Sequence, residues 1–519
     1  MNVKQVLISV VLTAMLAPSA LAQGGVSAER VQSALRRLER LARAEVRADA
    51  VPGLAVAVVF RDRVVYARGF GVRDTATGEP VDADTVFQLA SISKSVGSTV
   101  VAALVGEGVV SWDSRISDLE PAFEMYDPWV TREITLRDLY AHRSGLPEHA
   151  GDLLEDLGFT RQQILHRLRY QPPETSFRSS YAYTNFGLTA AAVAAAEAAG
   201  GTWESVSEEK LYGPLGMTST SSRFADFMAR PNKALGHVRV GGAWVHRRQR
   251  EPDAQSPAGG VSSSASDLSK WLRLQLGNGR FGGTRVVAEE ALAETHHPHM
   301  LIDFSPLTGR PEFYGLGWNV GYDGQGRLRL SHSGAFALGA GTNVNLVPAE
   351  ELGVVVLSNG SPTGVPEGLA ATFIDLALYG RPTQRWLDIY KGAFAQMMTA
   401  GDLSAAYATP PASPTPPQAN GAYLGTYTNA FFGDIAITEQ GGGLAIVQGP
   451  KKLAFPLTHF DRDSFTYVTQ GESAVGTAGV FFHPGADGQA TSVTVENLDV
   501  DGEGTFTRVA AEGANAESP

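Results

Sequence analysis

Apolar residues recur at helical spacing over 27–47. Val31, Leu35, Leu38, Leu41 and Ala42 share one face and arginines fill the other, which predicts an amphipathic helix. Two β-rich runs follow at 54–60 and 64–70, separated by Arg61-Asp62-Arg63, the pattern of a hairpin. From 85 to about 300, helical patterns alternate with polar loops. Strand-like runs return at 328–330, 341–346 and 352–357, and a helical run over 367–378 closes this part. Such an order predicts an α+β domain over 23–400. Its antiparallel sheet would be built from both ends of the segment and flanked by helices, with a helical region between.

The pattern then breaks. Residues 401–420 carry Thr409-Pro410-Pro411-Ala412-Ser413-Pro414-Thr415-Pro416-Pro417, which can be neither helix nor central strand and reads as an extended linker. Short β-rich runs with Gly and Asp turns fill 421–510, predicting a small all-β barrel or sandwich. Residues 511–519 read as a disordered tail. At the other end, Lys4, the short apolar run 6–16 and Ala20-Leu21-Ala22 read as a cleavable signal peptide over 1–22. The mature chain is therefore expected in a periplasm or outside the cell. No later run reaches the roughly 20 apolar residues of a spanning helix, so no integral membrane segment is expected after cleavage.

Composition narrows the chemistry. The 519 residues carry 42 Lys and Arg against 54 Asp and Glu, a net −12. An acidic chain argues against nucleic acid as a partner, since phosphate contacts need clustered cations. Cysteine is absent, which excludes disulfides, thiol catalysis and Cys-ligated metals.

Three short motifs carry candidate chemistry. Ser91 precedes the helical run 96–105, and Lys94 lies three residues on, one turn along the same face. A serine hydroxyl is a weak nucleophile and needs a neighbouring base. A lysine held among apolar residues has the depressed pKa that such a role requires. Tyr183-Thr184-Asn185 sits on a loop feeding the helical run 186–199. From there Tyr183 can exchange protons with Ser91, and Asn185 can bond Lys94 and a substrate carbonyl. His332-Ser333-Gly334 ends a strand-like run. Gly334 permits close approach, and the Ala335 amide with that of Ser91 would form an oxyanion hole. Each motif recurs by chance, at Ser207–Lys210, at Tyr427-Thr428-Asn429, and at His149-Ala150-Gly151 and His483-Pro484-Gly485. Asp113, Asp118 and Asp138 read as caps or surface residues, and His296-His297-Pro298-His299 as a loop rather than a metal site.

The three motifs in this order resemble the serine β-lactamase-related hydrolases: class C β-lactamases, D-Ala-D-Ala carboxypeptidases, D-aminopeptidases and related esterases. The stretches 142–147, 212–217 and 258–261 look like that family too. The resemblance covers roughly 28–385, and the region after 420 looks like the small β-domain appended to many members. It implies a β-lactamase/transpeptidase-like fold, Ser91 as the acylated nucleophile, Lys94 and Tyr183 sharing the proton transfers, and Asn185 and His332 lining the cleft. No metal or organic cofactor is implied.

One departure bears on substrate. Lactamases and carboxypeptidases usually carry Lys-Thr-Gly where this chain has His332-Ser333-Gly334, and a histidine is mostly neutral at pH 7. The expectation is a secreted serine hydrolase acting through an acyl-enzyme on small peptides, including D-residue peptides, or on carboxylic esters. The alternatives are a β-lactamase or D-Ala-D-Ala carboxypeptidase, and a catalytically silent module that binds peptidoglycan fragments.

Overall fold

The structure, a computed structural model, describes residues 25–510. The expected signal peptide and C-terminal tail lie outside those residues. The first part is built on an eight-stranded sheet. From one edge its strands are Arg63–Gly71, Gly53–Phe60, Leu352–Ser358, Ala340–Val347, Leu328–Phe336, Asn319–Tyr322, Pro311–Tyr314 and Met300–Phe304. Neighbours run antiparallel, with Val56 opposite Val356 and His332 opposite Val344. Strands from both ends of the segment thus pair within one sheet, Gly53–Phe60 against Leu352–Ser358, as the pattern predicts. The three strands 300–322 were not anticipated individually, because their short polar-flanked runs carry no clear alternation.

Gly53–Phe60 and Leu352–Ser358 are buried along their whole length. That explains their unbroken apolar runs: helices cover both faces, so neither side can be polar. On one face, Leu54, Val56, Val58, Val354 and Val356 pack against helices Ala28–Arg47 and Val365–Tyr379. On the other, Ala55, Ala57, Val59, Val355 and Leu357 join the large core that contains helices Ile92–Gly106, Asn185–Ala198 and Ala265–Leu276. A further helix, Trp386–Ala400, packs on Val365–Tyr379. It has no fully buried residue, which is why its sequence shows no strong apolar stripe.

The exposed Pro-rich stretch leads into a second, nine-stranded antiparallel sheet between Gly425 and Arg508. This sheet curls into a nearly closed barrel-like form around Tyr423, Tyr427, Phe465, Phe482 and Phe506. Tyr427 of the second Tyr-Thr-Asn triplet lies here, its hydroxyl donating to the Tyr423 carbonyl at 2.7 Å. Arg167 of the first part donates to the carbonyls of Ala430 and Phe431 at 2.8 and 2.9 Å, tying the two parts together. No described helix is long and apolar enough to cross a membrane.

Candidate active site

Ser91 stands at a sharp turn. Strand Val86–Gln88 pairs with Ser262–Ser264, and the Leu89 amide continues that ladder to the Val261 carbonyl at 2.9 Å. Ala90 then adopts φ +48°, a left-handed conformation that alanine takes only against steric cost. Burial of Ala90 in a small cluster with Phe336 and Ala340 holds it there. The turn throws Ser91 to the N-terminus of the buried helix Ile92–Gly106, where it is the capping residue.

Lys94 is fully buried one turn on. Its Nζ lies 3.1 Å from Ser91 Oγ, 2.6 Å from Asn185 Oδ1 and 3.0 Å from the Ala258 carbonyl. Burial pushes its pKa down to about 7, helped by the charge of Arg250 and resisted by that of Asp152. Two of the three neighbours can only accept hydrogen bonds, so they take two N–H bonds. The third direction faces the serine hydroxyl. A neutral amine fits this setting, with its lone pair toward the proton of Ser91.

Tyr183 leads into helix Asn185–Ala198, and its ring centroid lies 4.5 Å from Lys94 Nζ. Burial pushes the phenol well above its ordinary value, and contact with the Ser91 hydroxyl offsets only part of that rise. Asn185 donates through Nδ2 to Asp152 Oδ2 at 2.7 Å, which fixes the amide so that Oδ1 faces Lys94. Asp152 in turn holds His149 Nδ1 at 2.8 Å. Burial opposes a charge on His149, but the bond to Asp152 and its charge outweigh that and raise the pKa.

His332 comes in from the sheet, buried on strand Leu328–Phe336. Its Nδ1 lies 2.7 Å from the Ser333 carbonyl, which can only accept, so Nδ1 donates there. Nε2 is then the acceptor of the Tyr314 hydroxyl at 2.8 Å. Burial, with the nearby Lys94, drives the pKa of His332 down to about 3, so the ring is neutral. Gly334 lies hard against the nucleophile turn. A Cβ there would stand 2.2 Å from the Leu89 carbonyl, 2.3 Å from Thr342 Oγ1 and 3.0 Å from the Ser91 nitrogen. Only glycine permits that approach, and Ala335 follows it on the strand.

Six of the seven candidate residues therefore gather in one place, Ser91, Lys94, Tyr183, Asn185, His332 and Gly334, and Ala335 is the next residue of the strand after Gly334. Several neighbours were not foreseen. His149-Ala150-Gly151, read as a chance recurrence, lies at the site: the His149 amide bonds the Tyr183 carbonyl at 2.8 Å, and its ring is 5.7 Å from that of Tyr183. Asp152 and Tyr314 carried no motif. Asp138 does cap a helix, through a capping box with Thr135, but it is also fully buried between Arg143 and Arg178 at 2.8 and 2.7 Å. Ser207 of the second Ser-x-x-Lys lies elsewhere, after Trp203 on the helix Trp203–Ser207. It is buried and donates to the Trp203 carbonyl at 2.7 Å, while Lys210 pairs with Glu107 and Glu209. Among the described residues, no group of three or more His, Cys, Asp or Glu side chains is placed to hold a metal ion.

The site thus sets a Ser-x-x-Lys turn opening a buried helix against a Tyr-x-Asn loop and a His-x-Gly strand. The chain matches the Beta-lactamase family over residues 38–379 and belongs to it. Residues 409–508 match a domain of unknown function, DUF3471. The chain is 25% identical over 487 residues to the unguisins hydrolase ungD of Aspergillus violaceofuscus, covering 83% of this chain and 84% of that protein. Over 388 residues it is 28% identical to penicillin-binding protein 4 of Amycolatopsis lactamdurans, covering 70% and 90% respectively. The fold is shared with the octameric penicillin-binding protein homologue from Pyrococcus abyssi, with a TM-score of 0.61, 19% identity and coverage of 89% of this chain and 98% of that one.

Proposed function

We propose that this member of the family hydrolyses a small peptide amide or a carboxylic ester through an acyl-enzyme on Ser91. The observation that carries the reading is the set of partners around Lys94. Asn185 Oδ1 and the Ala258 carbonyl occupy its two N–H bonds, and Ser91 Oγ lies at 3.1 Å on the remaining side of an amine whose pKa is about 7. Lys94 takes the proton of Ser91 as Oγ bonds to the acyl carbon. The oxyanion rests on the amides of Ser91 and Ala335. The Lys94 ammonium then returns a proton to the leaving amine or alkoxide through the neutral Tyr183 phenol. Water attacks the acyl carbon by the same proton path, which frees the acid and restores Ser91. The raised pKa of Tyr183 favours this division of labour over a tyrosinate base.

A neutral His332 offers no positive charge to a substrate carboxylate. Acyl groups whose reacting end is uncharged are therefore favoured over β-lactams and D-Ala-D-Ala termini. The reading includes export, on the strength of residues 1–22. The test is intact-mass analysis after a fluorophosphonate probe, with Ser91→Ala as control, followed by p-nitrophenyl esters against amino-acid p-nitroanilides. A single adduct confined to the wild type supports the proposal. An adduct that survives in Ser91→Ala, or none at all, refutes it.

A further inference from the structure

We propose that Glu472, on a loop of the C-terminal sheet, is a positioning residue of the active site; this rests on the hydrolase reading above. Residues 470–475 lie in the loop between strands Ser464–Val468 and Thr477–Pro484. The loop crosses to the first part of the chain and is fastened there by Asp156. Asp156 Oδ1 accepts the Glu472 amide at 2.9 Å and Oδ2 the Ser473 amide at 2.7 Å. Gly471 makes the approach possible. It has φ +118°, and a Cβ there would meet the Asp156 carboxylate at 2.5 Å.

So anchored, the Glu472 carboxylate accepts the amides of Ala337 at 2.5 Å and Leu338 at 3.2 Å. These residues form the turn between strands Leu328–Phe336 and Ala340–Val347, two and three positions past Ala335. The same carboxylate pairs with Arg250 at 3.2 Å, whose other nitrogen meets Glu155 at 2.6 Å. The Arg250 guanidinium lies 4.5 Å over the ring of Phe336, and its carbonyl accepts from the Gln88 side chain at 2.9 Å. Gln88 is three residues before Ser91. One carboxylate from the second sheet thus ties together the two backbone segments that supply the oxyanion amides. Arg250, Glu155 and Glu472 are each 13% exposed or less, so water cannot readily take over the role.

Glu472 does not touch the reacting atoms. Its effect runs through the Ala335 turn, since oxyanion donors must be held to a fraction of an ångström. The experiment compares full-length wild type, Glu472→Ala, Glu472→Gln and Arg167→Ala. Arg167 is the control, because it holds the same two parts together far from Ser91. The readouts are kcat and KM on the best ester, the rate of Ser91 phosphonylation, and the melting temperature. Glu472→Ala is expected to lose about tenfold or more in both kcat and phosphonylation rate with KM nearly unchanged. Glu472→Gln keeps one acceptor oxygen, enough for the Ala337 amide and Arg250, but turns an NH2 donor toward the Leu338 amide, so it is expected to recover part of that loss, and it stands in if Glu472→Ala does not fold. Arg167→Ala is expected to melt earlier with wild-type kcat. Wild-type kcat in Glu472→Ala, or an equal loss in Arg167→Ala, overturns the proposal. Failure of the wild type itself to label at Ser91 overturns this proposal and the hydrolase reading together.

Discussion

Replacing Lys94 by Met removes the group on which the chemistry depends and exposes what its burial costs. The ordinary value for this amine is 10.5, and burial brings it to about 7. At about 1.4 kcal/mol per pH unit, charging Lys94 penalises the folded protein by roughly 5 kcal/mol. The sign follows from which state binds the proton. Between about pH 7 and 10.5 the unfolded chain is protonated at this lysine and the folded chain is not, so stability rises with pH across that window. At pH 7 nearly the whole penalty is present, and by pH 9.5 only about 1 kcal/mol of it remains. The wild type should therefore gain roughly 3 kcal/mol relative to Lys94→Met between those two pH values. The substitution also strips Asn185 Oδ1 and the Ala258 carbonyl of a donor, costing about 1–3 kcal/mol each, but that loss does not depend on pH and drops out of the difference. The assay is urea unfolding of both proteins at each pH, followed by fluorescence. All seven tryptophans precede residue 400, so the signal reports the part that carries Lys94. A difference that stays flat to within about 1 kcal/mol would show that Lys94 keeps an ordinary pKa, and its role as base would fall with that result.

The rate–pH profile checks the same group from the side of function: kcat/KM is expected to rise through about pH 7, where Lys94 loses its proton, and a rise complete by pH 5 would point to a carboxylate instead. Gly334→Ala is expected to lose activity by about 10²-fold or more, because its Cβ would collide with the Leu89 carbonyl and Thr342; turnover within threefold of wild type would contradict the packing. Tyr314→Phe leaves His332 Nε2 buried without a donor and should destabilise the protein by about 1–3 kcal/mol in urea unfolding. Asp138→Ala leaves Arg143 and Arg178 facing a buried gap, and a loss of about 3 kcal/mol or more is expected, with Asp138→Asn less damaging.

Much of this was legible along the chain, for reasons that are local. The amphipathic helix before residue 48 is written in side-chain periodicity, and the first hairpin and the strand run 352–358 in short apolar runs. The Pro-rich break between the two parts is a backbone property of its residues. Ser91 and Lys94 are one helical turn apart, so their meeting needs only the helix. What could not be read was who stands behind those residues. Asp152, 33 positions before Asn185, orients it; Tyr314, 18 positions before His332, donates to the Nε2 that the Ser333 carbonyl leaves as acceptor. His149 looked like a chance repeat because its role comes from the Tyr183 backbone folding against it.

The order of apolar and polar residues, with three short motifs, thus determined the class of fold and singled out the candidate nucleophile and base. Tertiary structure alone decided how far each pKa moves: the closed core removes the water that would solvate a charge, so Lys94 is brought to about 7 and loses its proton around that pH, while His332 is brought to about 3 and is neutral there. It alone also decided that a carboxylate more than a hundred residues downstream closes on the turn beside Ala335. Burial and long-range approach depend on how distant segments pack, and no local stretch of sequence encodes that packing.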